Sequence, residues 1–348
     1  MRDFAPAGGG KFLAAKNKIL VFTLILALSA AVLPASAAAQ ELMAGGRAIG
    51  IRMNTDGVVV AGSAPVETAS GQVTPALDAG LRTGDVIVKL AGADVHTAED
   101  FVKAASGMKG GAVAMKVMRN GEAKELSITP AKDADGALKL GLWLRDGIAG
   151  VGTLTFYDPA TGVYGALGHG ITDSDTGALL PLGSGVLTKA SIVGIVKGEN
   201  GTPGQLSGCT DEKSICGSIV LNTDYGIFGI LEPGSDVPGS AMECGGMKPG
   251  PATILTTLSG SAPGEYSIEI NRVYHDQSGE RVMITVTDQA LIDAAGGIVQ
   301  GMSGSPIIQD GKLVGAVTHV FVNDPTRGYG LSIADMISEV QACASKAA

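Results

Sequence analysis

A glycine-rich corner constrains this chain more than any other stretch of its sequence. Residues 296–321 read GGIVQGMSGSPIIQDGKLVGAVTHVF. Apolar runs at 307–308 and 313–317 flank a polar turn, which predicts a β-hairpin directly after the corner. Glycines on both sides of Ser303 predict that its hydroxyl and the neighbouring N–H groups face outward. Such exposure is what an acyl-transfer nucleophile and an oxyanion hole require.

Composition favours a mainly β protein. The 348 residues suffice for two domains with separate cores. Glycine contributes 52 residues, and short β-branched runs punctuated by glycine recur. The net charge is -9 and no lysine or arginine cluster accompanies an aromatic platform, so we expect no nucleic-acid partner.

The first 39 residues carry an export pattern. Lys11, Lys16 and Lys18 precede an apolar run at 19–33, and small residues at 35–39 offer cleavage sites. The apolar character continues to residue 39, which approaches the roughly 20 residues that a bilayer span needs. We expect an exported protein, and the pattern leaves open whether residues 1–39 are a cleaved signal peptide or a membrane anchor.

The cysteines leave their pairing open. Cys209 and Cys216 are spaced for a small disulfide loop in an oxidising compartment, and Cys244 and Cys343 lie further along the chain. There is no C-x-x-C motif, and no histidine lies nearby at ligand spacing. We therefore expect no metal and no cofactor.

Residues 47–132, after a short linker at 40–46, read as one α+β unit. Strand patterns at its start are followed by PALDAGLRTGDVI, by a helix that Thr97 and Asp100 would cap, and by a hairpin. The order of elements and the string A-x-x-A-G-L-R-x-G-D-x-I resemble a PDZ domain of the bacterial protease-associated type.

PDZ domains bind an extended peptide as an added strand. By resemblance, the loop that binds this peptide is formed by Ala48, Ile49, Gly50 and Ile51. The alternative is that Gly50 lies in an ordinary strand and that both isoleucines belong to the core.

His169 is the histidine best placed for catalysis. His96 precedes the predicted helix, His275 precedes a Ser-Gly turn, and His319 lies in the strand after the serine turn. His169 instead follows predicted strands and has a glycine on each side, in the string YGALGHGI. These glycines leave an imidazole open to a cleft, so we predict that His169 is the base that activates a serine.

A carboxylate should hold that base in the right tautomer. Asp173, Asp175, Asp224, Asp288 and Asp293 are the candidates. Asp288 follows a predicted strand that would deliver it to the serine turn, and its alternative role is to cap a helix starting near Gln289. We predict a catalytic triad of His169, Asp288 and Ser303.

Ser303 is a better nucleophile candidate than Ser305. Gly301 precedes Ser303 by two positions, so the N–H groups of Gly301 and Ser303 can converge on one oxyanion. Ser305 is followed by Pro306, which restricts its backbone, and it marks the exit of the turn.

The string GMSGSPIIQDGKLVGAVTHV resembles the chymotrypsin-like pattern. That resemblance implies that residues 147–348, after a linker at 133–146, form a double β-barrel serine peptidase domain. It implies that the hydroxyl of Thr318 supports the triad aspartate and that the following residues line the primary substrate pocket. Met302 stands where digestive enzymes have an aspartate that pairs with a freed N-terminus, so activation by that ion pair is not expected.

The export pattern, the PDZ-like unit, the LGHGI turn and the IVQGMSGSP…GAVTHVFVNDPTRGYG tail together resemble the stage IV sporulation protein B peptidases of endospore-forming bacteria. The resemblance implies a serine endopeptidase secreted into the space between the forespore membranes. It would cleave itself and then a regulatory membrane protein of an intramembrane protease complex, which triggers activation of a sigma factor. It also implies that the PDZ unit governs self-recognition and partner docking.

Two other functions remain open at this point. One is a general extracytoplasmic PDZ-protease for quality control, although the PDZ-like unit here precedes the peptidase unit. The other is a catalytically inert scaffold that binds peptides, against which the presence of all three triad residue types counts.

Overall fold

A computed structural model describes residues 41–347 apart from residues 175, 236 and 278. The predicted export segment, residues 1–39, lies outside these described residues. Within them, no helix is both long enough and apolar enough to cross a bilayer.

The described residues are rich in strand and poor in helix. The strands are β1 (Glu41–Ala44), β2 (Ala48–Ser63), β3 (Val66–Thr68), β4 (Gly71–Val73), β5 (Val86–Leu90), β6 (Ala93–Asp94), β7 (Val113–Arg119), β8 (Glu122–Ile128), β9 (Ala131–Lys132), β10 (Leu138–Lys139), β11 (Leu142–Tyr157), β12 (Val163–Ala166), β13 (Leu182–Val196), β14 (Gln205–Thr223), β15 (Gly226–Leu231), β16 (Ser240–Glu243), β17 (Gly250–Thr256), β18 (Gly264–Asp276), β19 (Gly279–Val286), β20 (Pro306–Gln309), β21 (Lys312–Phe321) and β22 (Asp324–Ser332). The helices are α1 (Pro75–Asp78), α2 (Ala98–Ser106), α3 (Gln289–Ala295) and α4 (Ile333–Ala347).

The first barrel closes through the antiparallel pairing of β2 with β11. Strands β11, β12, β15, β14, β13 and β2 pair in that order, and β2 pairs back with β11. Inward-facing apolar residues fill its interior, among them Leu154, Tyr164, Leu187 and Ile227. Closure satisfies the backbone hydrogen bonds of every strand in the ring and leaves no free edge there.

The second barrel follows in the sequence and is also closed. Its strand order is β17-β18-β19-β22-β21-β20. Ile254, Ile284, Ile307 and Val317 belong to its buried core. The C-terminal α4 packs a face that includes Met336 and Cys343 against a cluster that also contains Phe156 and Phe228 of the first barrel. The helix therefore ties the two barrels together.

The PDZ unit is inserted into the first barrel. Residues 48–54 of β2 pair with 147–153 of β11 inside the barrel, and residues 59–63 pair with 142–145 beyond it. There β5, β7 and β8 continue the sheet. Gly57 lies at the exit from the barrel with φ of +111°, a backbone conformation that side chains rarely adopt.

The predicted linkers are therefore wrong. Residues 41–44 form β1, which pairs with both β11 and β16. Residues 142–146 are the start of β11, which runs without interruption into the barrel. Both segments carry apolar residues that a sheet can bury, and the partner strands lie too far away in the sequence for local patterns to reveal them.

Other sequence predictions agree with the fold. The mainly β class is confirmed, and the α+β unit and the two closed barrels have the architecture that the PDZ and chymotrypsin-like resemblances imply. Thr97 and Asp100 form the expected capping box at the start of α2.

All four cysteines are free thiols, and Cys209 and Cys216 both lie along β14 rather than closing a loop.

Candidate active site

A strained turn carries His169 into the cleft between the barrels. After β12, Leu167 and Gly168 both adopt positive φ angles, +70° and +69°. Leu167 is buried and is not a glycine, so this conformation costs on the order of 1–3 kcal/mol and persists only because its surroundings hold it.

The imidazole of His169 is oriented by the main chain. Its Nδ1 donates to the carbonyl oxygen of Gly170 at 2.8 Å, which leaves Nε2 as an acceptor. Burial lowers the pKa of His169 below 6.5, and the hydrogen bond to Gly170 opposes this shift. The ring is therefore neutral near pH 7 and able to accept a proton.

Ser303 lies in the glycine corner of the second barrel. Gly301 and Gly304, on either side of it, have φ of +98° and +93°. Ser303 Oγ donates to the carbonyl oxygen of Thr318 at 2.8 Å. Ser305 is fully buried and its hydroxyl donates to Met302 O, so it cannot meet a substrate.

Threonines of β11 bind this serine turn to the first barrel. Thr153 Oγ1 donates to Gly301 O at 2.9 Å, and Thr153 N donates to Ser303 O at 3.0 Å. Thr155 Oγ1 donates to Gly304 O at 2.8 Å. Both threonines are buried; the bond from Thr155 is buried, which shields it from competing water, and the bond from Thr153 is partly buried.

Gly304 allows the serine turn and the histidine turn to touch. A Cβ at this position would lie 2.5 Å from Leu167 N and 2.2 Å from Thr153 O. Only a residue without a side chain fits, since real Cβ atoms do not approach so closely. The two turns are thus packed main chain to main chain.

The peptide groups before Ser303 are anchored by the segment that leads into β14. Gln300 N donates to Gly204 O at 2.9 Å, and Leu206 N donates to Gln300 O at 2.8 Å. In the part of the chain that the structure describes, the amides of Gly301 and Ser303 have no acceptor. Both residues line the cleft.

A cavity of about 430 Å³ joins the two turns. It is lined by Ile51, Ile148, Gly150, Val151, Leu167, His169, Ile171, Pro203, Ile298, Val299, Gln300, Gly301, Ser303, Thr318, His319, Val320 and Val322. His169 and Ser303 therefore face a common cleft, as their sequence contexts predict.

His319 is a neighbour of His169 that sequence reasoning placed only in a strand. The two ring centroids are 4.8 Å apart with an interplanar angle of 33°. Partial burial of the His319 ring lowers its pKa to about 4, and the neighbouring His169 is the second cause of this shift. The side chain nevertheless keeps substantial solvent exposure. His319 lies directly after Thr318 in β21, and no local sequence pattern indicates its contact with His169.

Asp288 does not reach His169, so the prediction that it orients the base is wrong in this structure. Its carboxylate accepts hydrogen bonds from Leu291 N at 3.1 Å and from Ser267 N at 3.2 Å. Asp288 is the N-cap of α3, the alternative role that its sequence position offered.

The Thr318 hydroxyl was predicted to support a triad aspartate. Because Asp288 does not reach His169, the structure gives this hydroxyl no such role. Thr318 contacts the site through its main-chain carbonyl, which accepts from Ser303. Asp173 uses its Oδ1 within a local turn, where Thr176 N and Thr176 Oγ1 donate to it. Asp175 lies outside the described residues.

The peptide-binding loop predicted at Ala48, Ile49, Gly50 and Ile51 is also wrong. These residues lie inside β2, paired with β11 on one edge, and 49–51 pair with β13 on the other. Ile49 and Ile51 are buried, as the alternative interpretation had it. Their backbone groups are used in the barrel and cannot hold a peptide end.

The groove of the PDZ unit lies elsewhere. A cavity of about 720 Å³ opens between α2 and the segment 138–143. Phe101, Val102 and Ala105 of α2 line one side, and Trp143 lines the other. Residues 142–145 pair with β2 along one edge, and Leu142 and Trp143 of this segment line the cavity.

Comparison with known families identifies the catalytic unit. A family model described as "SpoIVB peptidase S55" matches residues 136–337, more than half of the chain. The chain belongs to the SpoIVB peptidase S55 family. A PDZ domain model matches residues 48–129. The S55 chain is accordingly a serine endopeptidase with a PDZ domain.

The individual proteins that resemble this chain match only part of it or share few identical residues with it. A curated protein of Lactococcus lactis subsp. lactis (strain IL1403), named "Putative zinc metalloprotease LL2128", is 36% identical over 119 residues, which cover 32% of this S55 chain. The match spans only 26% of that relative's own length. Among solved structures, the active form of the Rv3671c protease from M. tuberculosis is 14% identical, with a TM-score of 0.33 over 57% of this chain and 74% of its own. The thermostable serine protease AL20 from an extremophilic microorganism is 12% identical, with a TM-score of 0.34 over 57% of this chain and 91% of its own.

Proposed function

We propose that Ser303 is the nucleophile of this serine endopeptidase and that His169 is its general base. The observation that carries the proposal is that both side chains face one cleft from turns that touch through Gly304 and Leu167. A serine hydroxyl needs such a base at neutral pH, and burial keeps His169 neutral and ready to accept the proton.

In the proposed reaction, the Ser303 hydroxyl turns from Thr318 O toward His169 Nε2. Oγ attacks the substrate carbonyl carbon while its proton passes to Nε2. The N–H groups of Gly301 and Ser303 bind the oxyanion that develops, and His169 then gives the proton to the leaving amine. Water attacks the acyl-enzyme in the same manner and restores Ser303.

The third position of the triad is taken by a main-chain carbonyl. Gly170 O accepts from His169 Nδ1 and so selects the tautomer with a free Nε2. A neutral carbonyl stabilises the imidazolium less than a carboxylate would, because it carries only a partial charge. We therefore expect a slower chemical step than in enzymes with an aspartate at this position.

The test combines labelling with self-cleavage. Purified protein from residue 40 onward, as wild type, Ser303→Ala and Ser305→Ala, is treated with a fluorophosphonate probe and followed on a gel with intact mass for each fragment. We expect wild type to be labelled and to shorten itself, and Ser303→Ala to do neither. Labelling of Ser303→Ala would overturn the assignment.

Ser305→Ala tests the structure and not the chemistry. Its hydroxyl holds Met302 O in the buried turn, so this variant should keep its labelling while losing some stability. An unlabelled but folded Ser305→Ala, beside a labelled Ser303→Ala, would reverse the order of the two serines.

We also propose that this peptidase acts outside the cytoplasm during endospore formation. It would cleave itself and then a regulatory membrane protein, which sets off sigma-factor activation, and residues 1–39 would export or tether it. Membership of the S55 family and the charged and apolar pattern of residues 1–39 support this proposal. Fractionation of sporulating cells, with wild type beside Ser303→Ala, tests it through the location of the protein and the fate of the membrane regulator.

The PDZ unit would bind extended peptides of this regulator or of the chain itself. The groove between α2 and residues 138–143 supports this role, because strand addition needs an open edge beside an apolar helix face. Val102→Asp places a charge on that face, where the valine is exposed. It should weaken peptide binding, measured by fluorescence anisotropy, and leave fluorophosphonate labelling intact.

A further inference from the structure

The side chain of Asn222 connects the end of β14 to the segment that follows His169. Its Oδ1 accepts from Ile171 N at 2.8 Å. Its Nδ2 donates to Ile171 O and to Leu180 O, both at 2.9 Å. The opposite orientation of the amide would set Nδ2 against the N–H of Ile171, so these partners fix which end is the acceptor. Asn222 is itself held in the barrel, where it pairs with Ile227 of β15.

Gly170 lets this segment approach β14 closely. A Cβ at Gly170 would lie 2.6 Å from Thr223 O and 2.3 Å from Leu179 Cδ1. Only glycine fits there, so the main chain of Gly170 packs directly on the end of β14. Because Thr223 follows Asn222 in the strand, this approach also brings the Asn222 side chain within hydrogen-bond distance of the peptide group after Gly170.

A single peptide group joins Asn222 to His169. Gly170 O and Ile171 N are its two polar ends, and in a trans peptide group the C=O and the N–H point in opposite directions. The oxygen accepts from His169 Nδ1 at 2.8 Å, and the N–H donates to Asn222 Oδ1 at 2.8 Å. Rotation of the group would break both bonds, so Asn222 fixes the direction of the carbonyl that orients the imidazole.

We propose that Asn222 is a positioning residue of this peptidase. Through the Gly170–Ile171 peptide group, it holds the His169 ring in the tautomer and orientation that leave Nε2 free. The proposal rests on the proposed function of His169 and Ser303 and adds the group that keeps the base in place. Asn222 lies outside the lining of the catalytic cleft, so it acts through these bonds and not by contact with the substrate.

The arrangement also makes Gly170 O a better partner for a positive charge. Hydrogen bonds that share one peptide group polarise each other, by about 10–30% per bond. Among the described residues that line the cleft, none is Asp, Glu, Lys or Arg, and His319 is the only histidine besides His169. Gly170 O, supported by Asn222, is therefore the acceptor that stabilises the imidazolium when His169 takes the proton of the serine.

The experiment measures the rate at which a fluorophosphonate labels the purified full-length protein at pH 8, beside urea unfolding. Asn222→Leu keeps the approximate size of the side chain and removes all three hydrogen bonds. It should lower the labelling rate at least about 10-fold, because a misoriented base loses part of the roughly 10²–10⁴-fold that acid–base catalysis contributes. Asn222→Asp keeps the acceptor for Ile171 N and loses both donors, so it should label within about 3-fold of the wild type while being less stable.

Thr176→Val is the matched control in the same segment. The Thr176 hydroxyl donates to Asp173 Oδ1 at 2.9 Å, and in the described part of the chain Thr176 shares no hydrogen bond with Gly170 or Ile171. Removal of this hydroxyl loosens the segment without touching the peptide group that orients the base. The variant should lose some stability and keep the labelling rate of the wild type.

The tautomer of His169 is a second readout, which a purely structural role of Asn222 would not change. NMR of the imidazole nitrogens, assigned with His169→Gln, should show the proton on Nδ1 at pH 8 in the wild type and in Asn222→Asp. In folded Asn222→Leu, part of the Nδ1–H form should be lost.

The outcomes separate this proposal from the proposed function. A folded Asn222→Leu that labels as fast as the wild type overturns the positioning role, as does equal slowing in Thr176→Val or a wild-type His169 with its proton on Nε2. If Asn222→Leu does not fold, Asn222→Asp decides: labelling at the wild-type rate with Nδ1–H supports the role, and a folded variant slowed at least about 10-fold overturns it. A wild type that the reagent does not label overturns the proposed function of Ser303 itself.

Discussion

Thr153 of the first barrel donates a hydrogen bond from Oγ1 to Gly301 O of the second barrel, 2.9 Å away. Its amide donates to Ser303 O at 3.0 Å. One residue of β11 thus holds the carbonyls on both sides of Met302, in the turn that lines the cleft. Met302 between these carbonyls is fully buried, so β11 and the core of the second barrel both fix the turn.

Thr153→Val is expected to lower kcat about 10-fold with little change in KM. Valine keeps the shape of threonine but leaves the partly buried Gly301 O without its partner, and the loss of a typical hydrogen bond costs about 0.5–1.5 kcal/mol. The amides of Gly301 and Ser303, which we propose bind the oxyanion, then lose their fixed orientation. Steady-state kinetics on a peptide substrate checks the rate, and urea unfolding checks the stability.

Thr256→Val is the control for that substitution. Thr256 is fully buried, and its Oγ1 has no hydrogen-bond partner among the described residues. The same change of side chain should therefore leave activity unchanged and leave stability equal or higher. Equal kinetic effects of the two substitutions would show that Thr153 acts only through packing.

Gly304→Ala is expected to abolish activity. The new Cβ would meet Thr153 O and Leu167 N well inside contact distance, and the positive φ adds strain. The serine turn must then move away from the histidine turn, which we expect to lower fluorophosphonate labelling at least 100-fold by separating Ser303 from His169.

Gly311→Ala is the matched control, since Gly311 has φ of +74° with open space around it. It should cost only the left-handed conformation, about 1–2 kcal/mol, and retain labelling.

The sequence predicted the parts of this site that depend on neighbouring residues. The corner around Ser303, the hairpin after it and the glycine-flanked turn at His169 all follow from local glycine and β patterns. Thr153 and His319 were missed because their contacts depend on how strands of different barrels meet. No local pattern encodes that arrangement.

The two wrong site predictions have a similar origin. A carboxylate at the end of a strand and the N-cap of a following helix have the same local sequence, so only tertiary structure decided the role of Asp288. The segment beginning at Ala48 has the pattern of a PDZ strand, but pairing with β13 keeps it in the barrel. In the PDZ sheet, residues 59–63 of β2 instead pair with residues 142–145 of β11.

Asp288→Asn is expected to change activity by less than about 3-fold, because asparagine caps a helix as well as aspartate does. Asp288→Ala should lower the free energy of unfolding by about 0.5–2 kcal/mol through loss of that cap. Kinetics and urea unfolding of both variants provide the measurement. A loss of about 10⁴-fold in kcat for Asp288→Asn, typical of a triad aspartate, would contradict the structure.

The acid limit of activity is expected to lie below pH 6.5. Burial lowers the pKa of His169, so the ring stays neutral at pH values where an exposed histidine is already protonated. His319→Gln gives His169 more contact with water and should move the limit of kcat/KM upward toward 6.5, with no change at pH 8. A limit at or above pH 7 in the wild type would instead indicate a negative charge close to His169.

His319 is also expected to make stability depend on pH between about 6.5 and 4. Its pKa is about 4 in the folded protein and near 6.5 when it is fully hydrated, so the unfolded chain binds a proton in this window before the folded protein does. Proton uptake then favours unfolding, and the contribution of His319 to Tm should fall as the pH is lowered through the window and level off below 4. His319→Gln removes this contribution, so its Tm should fall less steeply than that of the wild type between pH 6.5 and 4. Parallel Tm curves for the two proteins would mean that His319 titrates normally and that its contact with His169 does not dehydrate it.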